Sequence, residues 1–327
     1  MRDVADHVGV SRQLVSLVLR DVSGPSSAAR ERILAAAAEL GYRANASARL
    51  LRQKRTRLIG AIYTMRNPFE SQLVEQLFTR AAGRDFGVVL GPLTADRTIE
   101  SVIDELVEQR VEALVGFVPD AWSPYLEQIG ETVPIVWLGG PAPEPLDNVH
   151  IDDAEGMRLA IDHLVSLGHR TITHVRGAND SAGRARTKGY RLGMRRAGLS
   201  AGVDVVGEGW GEEDGAGAAR ELLERRALPT AVICGSDQAA AGLKAVMTAA
   251  GVAIPGDMSV IGWDDSYVAA LSYHQFTSIR QDLDATADAS LDAVLHRMSD
   301  PERPREVILT PARLIERAST GPARDGS

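Results

Sequence analysis

Arg12, Gln13 and Ser16 are polar side chains that an apolar helical stripe leaves facing outward, and they suit hydrogen bonding to base edges in a DNA major groove. A second group lies much farther along the chain: Asn67-Pro68-Phe69, Gly139, Ser236-Asp237 and Asp264-Asp265 follow short apolar runs, and Arg186 stands at the start of a helix after a Gly/Ser-rich loop. Carboxylates and a guanidinium bond pairs of hydroxyls, and aromatic rings cover C–H faces. Such a set can clamp a polyhydroxylated ligand. The competing expectation for Asp237 and Asp264 is a loop or helix-cap role.

The elements needed to position the first group are legible. Val4, Ala5 and Val8 form one face of a short helix, and Gly9 allows the left-handed turn that follows. Ser11 caps a second helix, on which Val15, Val18 and Leu19 repeat at i, i+3, i+4. Ser26 or Ser27 caps a third helix with an expected stripe of Ile33, Leu34, Ala37 and Leu40, ended by Gly41. Asn45 can cap about two further turns, 45–51, too short to be stable alone in water. This segment reads either as a hinge helix that forms on binding or as a basic linker.

From residue 58 the pattern changes to alternating strands and helices. Apolar runs fall at 58–63, 86–91, 113–118, 133–138, 171–175, 230–234 and 258–262, with helix-like stretches between them. Alternation of this kind means parallel sheets covered on both faces, in two doubly wound lobes, and ligands of such sheets bind beyond the carboxyl ends of the strands. The expected division is 1–44 helix-turn-helix headpiece, 45–57 hinge and linker, 58–320 two-lobed body and 321–327 tail. Lobe 1 takes 58–148 and 281–304; lobe 2 takes 149–277 and 308–320.

Charge supports the same division. Residues 1–57 hold 11 Arg or Lys and 5 Asp or Glu, a net of +6, and the whole chain holds 36 and 44. The remaining 270 residues therefore hold 25 and 39, a net of −14. A basic head attracts a polyanion, while an acidic body stays off it. The plainer alternative is a helical cap with a solvated basic face.

Several function classes are excluded or disfavoured. Cys234, the only cysteine, rules out an internal disulfide framework and suits a reducing cytoplasm; it reads as a small buried hydrophobe. No signal peptide and no membrane-length apolar run is present. The motifs GxxxxGK[ST], GxSxG and a GxGxxG after the first strand are missing, and His150, His163, His169 and His174 lack metal-ligand spacing. His163 and His169 flank a helix end, where a cationic imidazole suits the dipole. No enzyme and no cofactor is expected.

The segments 3–19, Leu40-Gly41-Tyr42 and 45–51 resemble the headpiece of the lactose/galactose-repressor (LacI/GalR) family. Ile59-Gly60, Asn67-Pro68-Phe69, 163–170, 186–190, Ser236-Asp237-Gln238, 259–265 and 277–281 match the body of that family in order. The resemblance runs from residue 3 to about 320. It implies a type I periplasmic-binding-protein-like body serving as an effector sensor. It also implies that Arg12, Gln13 and Leu17 read bases, and that Ser11, Ser16, Tyr42 and Asn45 contact phosphate or position the hinge. Leu51, beside Ala48, matches a leucine that paired hinge helices wedge into the minor groove, with Arg52 next to it on the basic side. In the cleft, Arg186 and Asp264 match the main polar effector contacts. Phe69, Gly139, Trp210, Ser236 and Gln281 match other ligand-facing positions.

Departures from the pattern are informative. Leu17 and Leu14 stand where the family usually has Arg and Thr, which favours a thymine methyl over a hydrogen bond at Leu17. Glu70 follows Asn-Pro-Phe where an aromatic is usual, and Ser236 replaces Asn. The tail has no leucine heptad for a tetramerising helix. The expectation is a cytoplasmic homodimeric repressor whose operator binding is controlled by a small carbohydrate effector. A co-repressor-dependent repressor or an activator, and outside regulators a plain solute-binding protein, are the alternatives.

Overall fold

The computed structural model describes residues 1–19, 23–41, 55–117, 124–142 and 144–324. The chain divides into two compact units, Met1–Thr56 and Arg57–Ser327.

The first unit is built from α1 (Arg2–Val8), α2 (Arg12–Leu19) and α3 (Ser27–Glu39). Gly9 has φ 69°, the left-handed turn between α1 and α2. The Ser11 hydroxyl accepts from the Leu14 amide at 3.2 Å, and Ser26 caps α3 through the Ala29 amide at 3.3 Å. Val4, Ala5, Val15, Val18, Ile33, Ala36 and Ala37 form one small core. The expected stripe of α3 needs correction. Leu34 and Leu40 are exposed, at 46% and 44%, and Ala36 takes the buried place. The packed set Ile33, Ala36 and Ala37 is itself an i, i+3, i+4 stripe, and Leu34 lies about 100° round the helix from Ile33.

The second unit has two lobes, each a six-stranded sheet. Lobe 1 is ordered β11-β5-β4-β3-β1-β2, from β1 (Leu58–Thr64), β2 (Gly87–Leu93), β3 (Ala113–Gly116), β4 (Ile135–Leu138), β5 (Asp147–Ile151) and β11 (Val307–Thr310). One face is covered by α4 (Pro68–Ala82) and α12 (Leu283–Ser299), the other by α5 (Ile99–Glu108) and α6 (Pro124–Gly130), with a separate apolar core under each. Lobe 2 is ordered β12-β10-β9-β8-β6-β7, from β6 (Ile172–Val175), β7 (Asp204–Val206), β8 (Ala231–Cys234), β9 (Ser259–Asp264), β10 (Thr277–Gln281) and β12 (Ala312–Ile315). Its faces carry α7 (Asp153–Ser166) with α8 (Ser181–Arg196), and α9 (Glu212–Leu223) with α10 (Asp237–Ala249). A short α11 (Tyr267–Ala270) follows β9.

All seven apolar runs are strands, with ends displaced by up to two residues. Whole strands belong to one sheet, so the chain passes between lobes after residues 151, 281 and 310. Those points lie a few residues later than the expected cuts. β12 is the exception to the parallel pattern, pairing antiparallel to β10. The two strands lie on crossings of opposite sense: β10 leaves lobe 2 and β12 enters it. Cys234 is fully buried in β8, which pushes its thiol pKa far up.

Candidate functional site

In the headpiece, Ser11 is the cap of α2, and Arg12 and Gln13 are exposed on its first turn. Ser16 and Leu17 are half-buried one turn later. The Arg32 guanidinium donates to the Val8 carbonyl at 3.0 Å and ties α3 to the end of α1. Tyr42, Asn45, Ala48, Leu51 and Arg52 lie outside the described residues.

In the body, Phe69, Gly139, Arg186, Trp210, Ser236, Asp264 and Gln281 all line one cavity of about 730 Å³ between the lobes. Lobe 1 contributes its wall through the start of α4. Asn67 caps that helix, its Oδ1 accepting from the amides of Phe69 and Glu70 at 3.0 and 3.2 Å. Pro68 at the first helical position fixes the entry. Phe69 then meets the Phe117 ring edge-on at 6.1 Å between centroids. Gly139 follows β4 at φ 95°, and a Cβ there would lie 2.8 Å from Phe117, so the backbone approaches the ring as only glycine permits. Buried Asn148 holds this loop by donating to the carbonyls of Trp137 and Gly140, both at 3.0 Å.

Lobe 2 contributes the charged wall. Arg186 lies in the second turn of α8 and is 4% exposed. Its Nε is 3.2 Å from Asp153, one η-nitrogen donates to the Gly235 carbonyl at 2.5 Å, and the other stands 3.7 Å from Asp264. The guanidinium carbon sits over the rings of Trp210 and Trp263, at 4.9 and 4.7 Å. Gln281 donates to Asp264 at 2.6 Å. Asp264 has φ 102°, which turns its carboxylate off the end of β9 into the cavity. Burial raises the pKa values of Asp153 and Asp264, and Arg186 opposes that rise in both. Asp180 caps α8 through the Gly183 amide and accepts from the Trp210 indole at 2.8 Å, orienting that ring.

Two sequence candidates have structural occupations. Ser236 faces the cavity, but its hydroxyl caps α10 and donates to the Trp210 carbonyl at 2.6 Å. Asp237 does not line the cavity; it accepts from Ser266 and Ser278 and locks β10 to the start of α11. His163 lies in the last turn of α7 and His169 just beyond its end. Burial lowers both pKa values, and His169 is tied to Thr230 and Ser259 at 2.9 and 3.0 Å. Asp153 and Trp263, which hold Arg186, were missed by sequence reasoning. Asp153 directly follows a cap residue and reads as helix-start acid, and Trp263 reads as core.

Glu70 supplies an unexpected feature. It is buried, accepts from the Thr64 amide at 2.5 Å and the Asn67 side chain at 3.0 Å, and burial pushes its pKa up to about 8. The carboxylates of Asp264 and Asp180 push the same way. No cluster of metal-ligating side chains occurs among the described residues.

Residues 1–45 match the model of the bacterial regulatory proteins of the lacI family, and residues 161–320 match the periplasmic-binding-protein-like domain. The ribose operon repressor of Escherichia coli (strain K12) is 32% identical over 328 residues, covering 98% of this chain and 99% of that protein. The crystal structure of the Lac repressor dimer bound to operator and the anti-inducer ONPF superposes with a TM-score of 0.83 at 28% identity, covering 98% of each chain. A LacI family transcriptional regulator from Enterococcus faecium with bound ribose superposes at 0.72 with 27% identity, over 82% of this chain and all of that one. A headpiece helix offering Arg12 and Gln13, and a two-lobed body with a polar cleft, are thus found in one chain with full-length relatives, and the chain belongs to the lacI family of bacterial regulatory proteins, DNA-binding regulators of transcription.

Proposed function

We propose that the chain represses transcription as a homodimer on operator DNA and that a neutral, polyhydroxylated small molecule of the sugar class controls it from the cleft. The observation that carries the effector class is the charge of the cavity wall. Its lining includes the five carboxylates of Asp180, Glu212, Glu213, Asp214 and Asp264 against the two cations Arg66 and Arg186, with Glu70 a sixth acid whose pKa burial raises to about 8. Such a wall disfavours an anion, whereas carboxylates, a guanidinium and flanking indoles suit hydroxyl pairs and C–H faces. Phe69, Gly139, Arg186, Trp210, Ser236, Asp264 and Gln281 are the proposed effector contacts. The ribose bound to one structural relative supports the same class.

On the DNA side, Arg12, Gln13 and Leu17 are the proposed base readers. Ser11, Ser16, Tyr42 and Asn45 meet phosphate or place the hinge, and Ala48, Leu51 and Arg52 form the minor-groove wedge and its basic flank. The proposed division remains 1–44, 45–57, 58–320 and 321–327. Effector closure of the lobes shifts the balance between DNA-competent and incompetent forms. Binding without turnover is the proposed chemistry, and the cytoplasm the proposed location. No helix among the described residues is long and apolar enough to cross a membrane.

A thermal-shift screen of neutral pentoses and hexoses tests the effector class. A ligand at 100 times its Kd should add about 2.7 kcal/mol of stability. The same ligand should change operator affinity. Stabilisation by phosphorylated sugars that is lost in Asp264→Asn, with none by neutral ones, would overturn the effector class.

A further inference from the structure

We propose that lobe 2 carries a second ligand site, for a phosphorylated small molecule, in a basic pocket formed by α8, β7 and the loop 176–179. The pocket has a volume of about 630 Å³ and shares only Ala178 and Asn179 with the effector cleft. Its lining contains four cations, Arg176, Arg184, Lys188 and Arg191, and one carboxylate, Glu221. The cleft, with five carboxylates and the buried acid Glu70 against two cations, has the opposite sign. These two cavities therefore differ in the ligand charge that they favour.

The sequence makes this face deliberately one-sided. Arg184, Lys188 and Arg191 fall at i, i+4 and i+7, so α8 presents them along a single stripe. Two of the four cations are already held in place. Arg176 donates to the Gly207 carbonyl at 3.1 Å and pairs with Glu208, and Arg184 donates to the Asn179 carbonyl at 2.9 Å. Glu221 is occupied as well, accepting from the Gly207 amide and from Arg225, each at 3.3 Å. Lys188 and Arg191 have no hydrogen bond or ion pair among the described residues and are exposed at the pocket. Fixed guanidinia beside two unengaged cations suit a dianionic phosphate group. The pocket volume leaves room for an organic moiety attached to it.

The test uses the full-length protein and calorimetry at constant ionic strength, with inorganic phosphate and glucose 6-phosphate as probes and glucose as the uncharged control. Wild type should bind glucose 6-phosphate, with glucose failing to compete. Replacing Lys188→Gln and Arg191→Gln together should weaken binding by about tenfold to a hundredfold, the loss expected for two charge-assisted contacts. Both residues are exposed, so the variant should keep the wild-type melting temperature. Asp264→Asn, which alters the cleft, should leave this binding unchanged. Absence of heat with both charged probes, or equal binding by wild type and the double variant, would overturn the proposal. Loss of glucose 6-phosphate binding in Asp264→Asn would also overturn it, by placing that ligand in the cleft.

Discussion

Asp153 and Arg186, from the first turn of α7 and the second turn of α8, meet at 3.2 Å with both side chains buried. The pair fixes the guanidinium beneath the cavity before any ligand arrives. With the Gly235 carbonyl and the two indoles, it leaves Arg186 little freedom to lose on binding. Asp264, at 3.7 Å, is the carboxylate on the ligand side of the same cation.

This arrangement separates two substitutions that look equivalent in the sequence. Arg186→Ala leaves Asp153 and Asp264 buried without their cation and should cost about 3–5 kcal/mol of stability as well as the effector response. Asp264→Asn keeps the shape, tolerates the positive φ and should lower effector affinity at least about tenfold with little loss of stability. Chemical denaturation alongside effector titration distinguishes the two, and equal effects on both readouts would contradict the geometry.

Glu70 predicts a pH dependence. Its folded pKa, about 8, exceeds its ordinary value of 4.5, so the folded state holds more protons between those limits. The stability contributed by this group is present below about pH 4.5 and is lost as pH rises through 8. Melting temperatures measured from pH 5 to 9 should fall less steeply for Glu70→Gln than for wild type. An identical slope in the two proteins would mean that Glu70 is ionised throughout.

Gly140 predicts a closure effect. A Cβ at this position would lie 2.5 Å from the Ala182 amide nitrogen and 2.6 Å from the Ser181 hydroxyl, where lobe 1 meets the start of α8. Its φ is not in the left-handed region, so Gly140→Ala introduces a lobe-to-lobe clash without backbone strain. Effector affinity should fall and small-angle scattering should show a more open body. Unchanged affinity would show that closure to this contact is not needed.

In the headpiece, Ser11→Ala removes the α2 cap and should cost about 1 kcal/mol. Arg12→Ala and Gln13→Ala touch exposed side chains and should leave melting unchanged while reducing operator affinity. Arg12→Ala should act through sequence discrimination, about 1–3 kcal/mol at the base pair it reads. Mobility shifts on operator and scrambled duplex, run at several salt concentrations, separate that loss from a general loss of charge.

Local rules found the elements because each is written in adjacent residues. Ser11, Ser26, Asn67 and Gly9 act within one turn of themselves, and seven apolar runs became seven strands. The seven residues expected in the cleft line one cavity. What the sequence could not reveal depends on packing at a distance. Around Ile33 the spacing allows more than one stripe, and packing in the headpiece core decides that Ala36 rather than Leu34 is buried. Asp153 and Arg186 are 33 positions apart, and Asp237 reaches Ser278 across 41. The raised pKa of Glu70 follows from burial and from the carboxylates of Asp264 and Asp180, distant in sequence, which no spacing rule reports.

The three passages between lobes have a consequence for synthesis. Lobe 1 takes its last strand from residues 307–310, and α12 supplies Ala287, Leu291 and Val294 to the core beneath β1, β3 and β4. A ribosome that has made only the first 280 residues has therefore released a sheet missing an edge strand and a covering helix. That half-built layer stays sticky until the final tenth of the chain emerges. The body is thus committed to finishing both lobes almost simultaneously, and a product terminated before residue 283 has no intact lobe 1.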